Sequence, residues 1–222
     1  MWYAKPSGAY AISSTEGTSN IIEMRDFLRS FNYTDEAITG VIANSVYEGG
    51  LNPWRWENDE YPPSYVGGCG LFGFTPYTRY LETEGAQQMN LSVTDITPNA
   101  SATVGSQQMR IMADGTWGWV GTCWREYWDK QEYAEQYTLS RNVLDRYGGG
   151  SYLTQSLYAE INDISSAVFA FLACFEGPLT PNYTDRLSVA NQICEIITGT
   201  PPTPPRPSGK KLPVYMMIKR LF

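Results

Sequence analysis

Between Ala37 and Val46 the apolar residues Ala37, Ile38, Val41, Ile42 and Val46 recur at the 3.6-residue period of a helix, and Gly49-Gly50 then end the run. Thr34 or Asp35 is placed to cap the start. The charged residue in the last turn is Glu48. Residues 51–74 cannot form a long helix, because Asn52-Pro53, Asn58-Asp59, Pro62-Pro63, Gly67-Gly68, Gly70 and Gly73 break them into turns. A buried helix that empties into a long loop or a small β-hairpin is therefore expected. Helical spacing also marks residues 19–31, capped by Thr18 or Ser19, and segments near 75–84, 104–113, 139–147 and 154–162. Ser165 or Ser166 is expected to cap the most apolar stretch, Ala167 to Phe175, and Thr184 or Asp185 to open a last helix closed by Gly199. The fold class is α+β and mostly α.

The 222 residues contain no histidine. This excludes a Ser-His-Asp triad, a Cys-His pair and histidine-ligated zinc. Carboxylates remain as acid–base groups, and they are the usual choice for glycosidic bonds. A net charge of −7 argues against a nucleic-acid partner, because phosphate contacts need clustered Lys and Arg. Cys69, Cys123, Cys174 and Cys194 form no CxxC pair, so no metal site and no cofactor is expected. Cys69 and Cys123 read as free thiols, with a bridge between them left open, and Cys174 and Cys194 are placed where a helical hairpin could bring them together. No signal peptide and no apolar run long enough for a transmembrane segment is expected.

Residues 200–209, Thr-Pro-Pro-Thr-Pro-Pro-Arg-Pro-Ser-Gly, read as an extended linker. The organisation expected is one domain over 1–198, a Pro-rich linker over 199–209 and a basic-apolar tail over 210–222. The tail reads as a docking peptide or free end, with a membrane-surface anchor as the alternative.

Glu48 is the leading candidate for chemistry. An acid at the end of an apolar helix is expected to lose hydration and keep its proton, which is the state a leaving glycosidic oxygen needs. The run Ile38-x-Gly40-Val41-Ile42-Ala43-Asn44-x-x-x-Glu48-x-Gly50-Leu51-Asn52-Pro53-x-x-Trp56-Glu57 resembles the phage tail lysozyme family. So does Gly68-Cys69-Gly70-Leu71-Phe72-Gly73-Phe74-Thr75-Pro76. Lys5 to Tyr10 is similar to the family's lead-in, and Phe175-Glu176-x-Pro178 with Arg186 and Ala190 to its C-terminal pattern. Two positions depart from the family: its Ser after the Glu is Gly49 here, and its Gln in the second segment is Gly73.

The resemblance implies a lysozyme-like fold with its hairpin or loop after the catalytic helix. It implies a peptidoglycan glycosidase, a muramidase cutting β-1,4 bonds of the glycan strand with Glu48 as general acid, used by a phage for wall penetration or lysis. Glu57 is the candidate second carboxylate, with Asp59, Glu60 and Asp95 behind it. Asn52, Trp56, Gly70, Leu71, Phe72, Phe74, Thr75 and Trp117 are the expected substrate-binding residues. Trp54 and Trp119 are further aromatics that could stack on sugars. A lytic transglycosylase is the alternative chemistry, and a non-catalytic glycan-binding or tail-structural module the alternative role. The resemblance places the protein in a virion tail or at the bacterial wall, with other tail proteins as partners through residues 210–222.

Overall fold

The computed structural model describes residues 1–57, 67–75, 96–113, 154–176 and 182–199. These residues form α1 (Thr15–Ser30), α2 (Asp35–Glu48), α3 (Pro98–Ala113), α4 (Gln155–Ala159), α5 (Ile164–Phe171) and α6 (Tyr183–Thr198). A π-helical turn, Leu172–Glu176, continues α5. The architecture is mostly helical. The expected β-hairpin after α2 is not formed by the described residues, which contain two isolated antiparallel bridges there, Trp56 to Cys69 and Cys69 to Phe74.

α2 is the central helix. Every residue from Ala37 to Ser45 is buried, so all faces of the helix are covered. α5 and α6 supply most of that cover, and α1 and α4 the rest. Full burial of Ile38, Val41 and Ile42 stabilises this arrangement by roughly 1.5–3 kcal/mol per side chain. Thr34 starts the helix by accepting from the Ala37 amide at 3.1 Å.

Gly40 lets α2 and α5 touch. A Cβ there would lie 2.5 Å from the Tyr158 hydroxyl oxygen and 2.6 Å from the Ala167 carbonyl carbon. That hydroxyl donates toward the carbonyls of Ala37, at 2.9 Å, and Ala167, at 3.2 Å. Gly40→Ala is therefore expected to lower stability by about 1–3 kcal/mol, the usual range for overpacking. A urea midpoint unchanged from wild type would contradict this close contact.

Helix starts differ from the sequence reading where a local cap overrides the periodicity. α1 begins at Thr15, because Ser14 accepts from the Gly17 amide at 3.0 Å. α5 begins at Ile164, capped by Asp163 through the Ser166 amide at 2.8 Å, one turn before the apolar run. The helix expected over 154–162 is short because the chain turns to bring the Ile161 carbonyl to the Thr34 hydroxyl. α6 opens at Tyr183, one residue early, and ends at Gly199 with φ +68°.

Past α2, Gly50 and Leu51 both take left-handed angles, φ +58° and +55°. Gly50 is required there, since a Cβ would meet Ala9 Cβ at 2.3 Å. Asn52 ties the turn to the lead-in: its amide nitrogen donates to the Lys5 and Gly8 carbonyls at 3.0 and 2.9 Å. Its oxygen accepts from Lys5 and Trp54 amides at 3.3 and 3.1 Å. Asn20 of α1 does the same for Tyr3 and donates to the Leu51 carbonyl at 2.7 Å.

Cys69, Cys174 and Cys194 are not in disulfides, so the bridge considered between Cys174 and Cys194 is not formed, nor is one to Cys69. Burial pushes the Cys69 thiol well up. Trp117, Trp119, Cys123, the helices expected at 75–84 and 139–147, the linker beyond Gly199 and the tail lie outside the described residues, as do Asp59, Glu60 and Asp95. Among the described residues no helix is long and apolar enough to cross a membrane.

Candidate active site

The rigid end of α2 delivers Glu48 to a cleft of about 260 Å³. Tyr47, Arg55, Glu57, Gly70, Gly73 and Thr75 are among the residues that line it. The Glu48 side chain is 26% exposed, so the loss of hydration expected at the end of an apolar helix is partial, and the acid is paired. Arg186 of α6 donates from Nη2 to Glu48 Oε1 at 2.5 Å. The same guanidinium donates from Nη1 to Asn44 Oδ1 at 2.7 Å and from Nε to Asn182 Oδ1 at 2.6 Å. Asn44 is itself fixed, donating to the Gly40 and Val168 carbonyls. The Tyr47 ring packs 5.2 Å from the guanidinium carbon. The buried arginine thus locks one carboxylate oxygen and leaves the other, Oε2, on the Gly73 side.

Two glycines shape that side. A Cβ at Gly49 would lie 2.3 Å from the Gly70 carbonyl oxygen and 2.5 Å from Leu71 Cα. The residue that replaces the family's Ser therefore lets the 68–75 loop lie directly on the end of α2. A Cβ at Gly73 would stand 3.6 Å from Glu48 Oε2. The position where the family carries Gln is thus directly over the acid, and here it is bare.

Gln108 of α3 holds this loop. It is fully buried, accepts from the Leu71 amide at 2.9 Å and donates to the Pro53 carbonyl at 2.8 Å. In the sequence it reads only as a helix-face position. Gln108→Ala is expected to destabilise the fold by about 1–3 kcal/mol for the groups left unbonded. Hydrogen exchange at the Leu71 amide checks it, and unchanged protection there would contradict the role.

Glu176 belongs to the C-terminal sequence pattern, which gives it no task. It ends the π turn, with Oε1 sealed from solvent and without a hydrogen-bond partner. π turns of this kind recur at functional sites. Burial pushes its carboxyl well above the usual range, the Glu48 charge adds to this, and Arg186 opposes it. A carboxyl that holds its proton more tightly in the folded chain stabilises the fold fully below the unfolded value of about 4.3. That contribution is lost as pH rises through the folded value. The stability of wild type relative to Glu176→Gln is therefore expected to fall as pH rises above about 4.3. Denaturant titrations at stepped pH check this, and a constant difference would contradict it.

The other expected site residues divide into two groups. Glu57, Gly70 and Thr75 lie at the cleft, and Glu57 Oε2 accepts from the Gly68 amide at 2.8 Å. Trp56, Leu71, Phe72 and Phe74 are buried, and so is Trp54. Phe72 packs on Phe171 and Phe175, and Trp54 meets Trp56 edge to face, so these rings are committed to packing. Asn52 is buried with its amide spent on the lead-in. The contacts described for them are internal to the fold. Arg55, not singled out from the sequence, lines the cleft with an Nε that has no hydrogen-bond partner.

Glu48, held by Arg186, thus lines a cleft on a mostly helical scaffold. The chain belongs to the phage tail lysozyme family, whose pattern it matches over residues 19–197. The match runs from α1 through α6. Membership carries a glycosidase-type, cell-wall hydrolase role at the level of the family. A relative is "Morphogenesis protein 1" of Bacillus phage B103, 27% identical over 200 residues, which are 90% of this chain and 44% of the relative. The chain thus spans less than half the length of that relative.

Proposed function

We propose that the protein cleaves β-1,4 bonds of peptidoglycan with Glu48 as the general acid. The observation that carries this reading is the split environment of the Glu48 carboxyl: Oε1 is held by Arg186, and Oε2 is on the open Gly73 side of the cleft. A proton on Oε2 passes to the leaving glycosidic oxygen as the bond from that oxygen to the sugar C1 breaks. The negative charge that develops on Glu48 is met by the guanidinium already donating to Oε1. Glu57, on the same cleft, is the proposed second carboxylate, positioning a water or steadying the sugar cation.

The family and the relative named for phage morphogenesis support a place in the virion tail. We infer that residues 1–198 form the catalytic domain and that the Pro-rich segment and basic-apolar tail join it to other tail proteins. The test is digestion of purified peptidoglycan with mass spectrometry of the fragments. Reducing ends are expected for a muramidase. Products one water lighter, with anhydro ends, would replace hydrolysis by transglycosylase chemistry. No fragments from several wall types would favour the glycan-binding module, for which the bare Gly73 is the supporting observation.

A further inference from the structure

Arg55 has no task in the bond cleavage assigned to Glu48, yet its backbone is pinned on both sides. Its amide donates to the Asn52 carbonyl at 3.1 Å, and its carbonyl accepts from the Gly70 amide at 2.8 Å. Trp54 and Trp56 on either side are buried, while Arg55 is half-buried and lines the cleft. Its Nη1 reaches the end of α2, where a Cβ at Gly50 would lie 3.1 Å from it. Nε is sealed from solvent and unbonded. Among the described residues the Arg55 side chain enters no ion pair and donates no hydrogen bond. The other arginines described differ: Arg25, Arg29 and Arg186 are paired with Asp26, Asp35 and Glu48, and Arg110 is exposed. The two acids of the cleft are engaged elsewhere, Glu48 by Arg186 and Glu57 by the Gly68 amide. Among the described residues that line the cleft, Arg55 is thus the one cation, and no acid of the fold holds it.

A half-buried guanidinium with unused donors is costly unless an acceptor arrives with the ligand. Its planar fork matches a carboxylate, which can take two parallel hydrogen bonds from it. The hydroxyl and acetamido groups of the glycan strand are neutral. In peptidoglycan that bears its peptides, the lactyl carboxyl of the muramic acid is tied up as an amide, so the free carboxylates belong to the peptide stem. A chain of net charge −7 repels such a substrate as a whole, so attraction has to come from a local cation. We propose that Arg55 is a specificity-determining residue that binds a carboxylate of the peptide stem while Glu48 acts on the glycan. This assignment rests on the glycosidase reading of the cleft and names the part of the substrate that the cleft selects.

The test uses soluble glycan fragments that bear peptide stems, freed of phosphate polymers, with the stem carboxylates either free or converted to methylamides. For wild type, KM is expected to rise about 10- to 100-fold on the amidated fragments, the range for one hydrogen bond to a charged group. Because the contact is the same before and during bond cleavage, kcat is expected to hold. Arg55→Gln is expected to show the raised KM on the free-carboxylate fragments and to match wild type on the amidated ones. Arg55→Lys keeps the charge without the fork and is expected to fall between. A wild-type KM indifferent to amidation, or an Arg55→Gln defect equally large on both fragments, would overturn the proposal. A second arm needs no turnover: calorimetric binding of the same two fragments to Glu48→Gln and to Glu48→Gln/Arg55→Gln. The double variant is expected to bind the free-carboxylate fragment more weakly and the amidated one equally, and equal binding of the free form by both would overturn the proposal. A wild type that cleaves nothing would remove the glycosidase reading and leave this second arm to decide on Arg55.

Discussion

Arg186→Met is expected to unfold with about 3 kcal/mol less free energy than wild type, the low end for breaking a buried ion pair. Methionine retains much of the arginine's apolar bulk, so the loss reports the polar contacts. Three of them go at once, to Glu48, Asn44 and Asn182. Asn44 is fully buried and its oxygen would be left without that donor. Glu48 keeps some contact with water, which moderates the cost. For a chain of this size the loss corresponds to a fall in Tm of roughly 6–12 °C. Calorimetry of Arg186→Met, Glu48→Gln and the double variant separates the parts. The double variant should cost less than the sum of the singles, because Arg186→Met then strands no charged partner. A single-variant loss under about 1 kcal/mol, or strict additivity, would contradict the view that this arginine joins α2 to α6 through the catalytic candidate.

The central helix could be read from the chain because its signals are local. Thr34 caps it, apolar residues fill it and Gly49-Gly50 end it, and Glu48 follows from those boundaries. The starts of α1 and α5 were harder. Ser14 and Asp163 act as caps through single hydrogen bonds that periodicity does not reveal.

Arg186, Glu176 and Gln108 were less legible for a physical reason. Arg186 lies 138 residues away and reaches the acid only through the packing of α6 on α2. Glu176 depends on a π turn, which shifts the helix register and leaves no mark in the apolar pattern. Gln108 looks like an ordinary helix-face polar residue until two loops are seen to share its amide. Trp56, Phe72 and Phe74 neighbour the cleft in sequence, yet their rings serve the core. A turn-rich segment can be an interior wall when its glycines allow close approach, as Gly49 and Gly70 do here.

Glu48→Gln is the change with the largest expected effect on activity. Glutamine is isosteric and still offers an oxygen to Arg186, so the fold and the cleft are retained. It cannot release a proton to the leaving oxygen. General acid catalysis contributes about 10²–10⁴-fold, equivalent to roughly 3–5 kcal/mol in the barrier. Glu57→Gln serves as the comparison, since Glu57 is at the same cleft but carries only the secondary role.

The most direct measurement is the initial rate of bond cleavage in purified peptidoglycan, counted as new glycan chain ends, for wild type and Glu48→Gln at equal concentration. Folding of both is checked by Tm. A variant at least about 100-fold slower than wild type, with its fold intact, is the predicted result. A folded Glu48→Gln that cleaves at the wild-type rate would contradict the assignment of Glu48 as the acid.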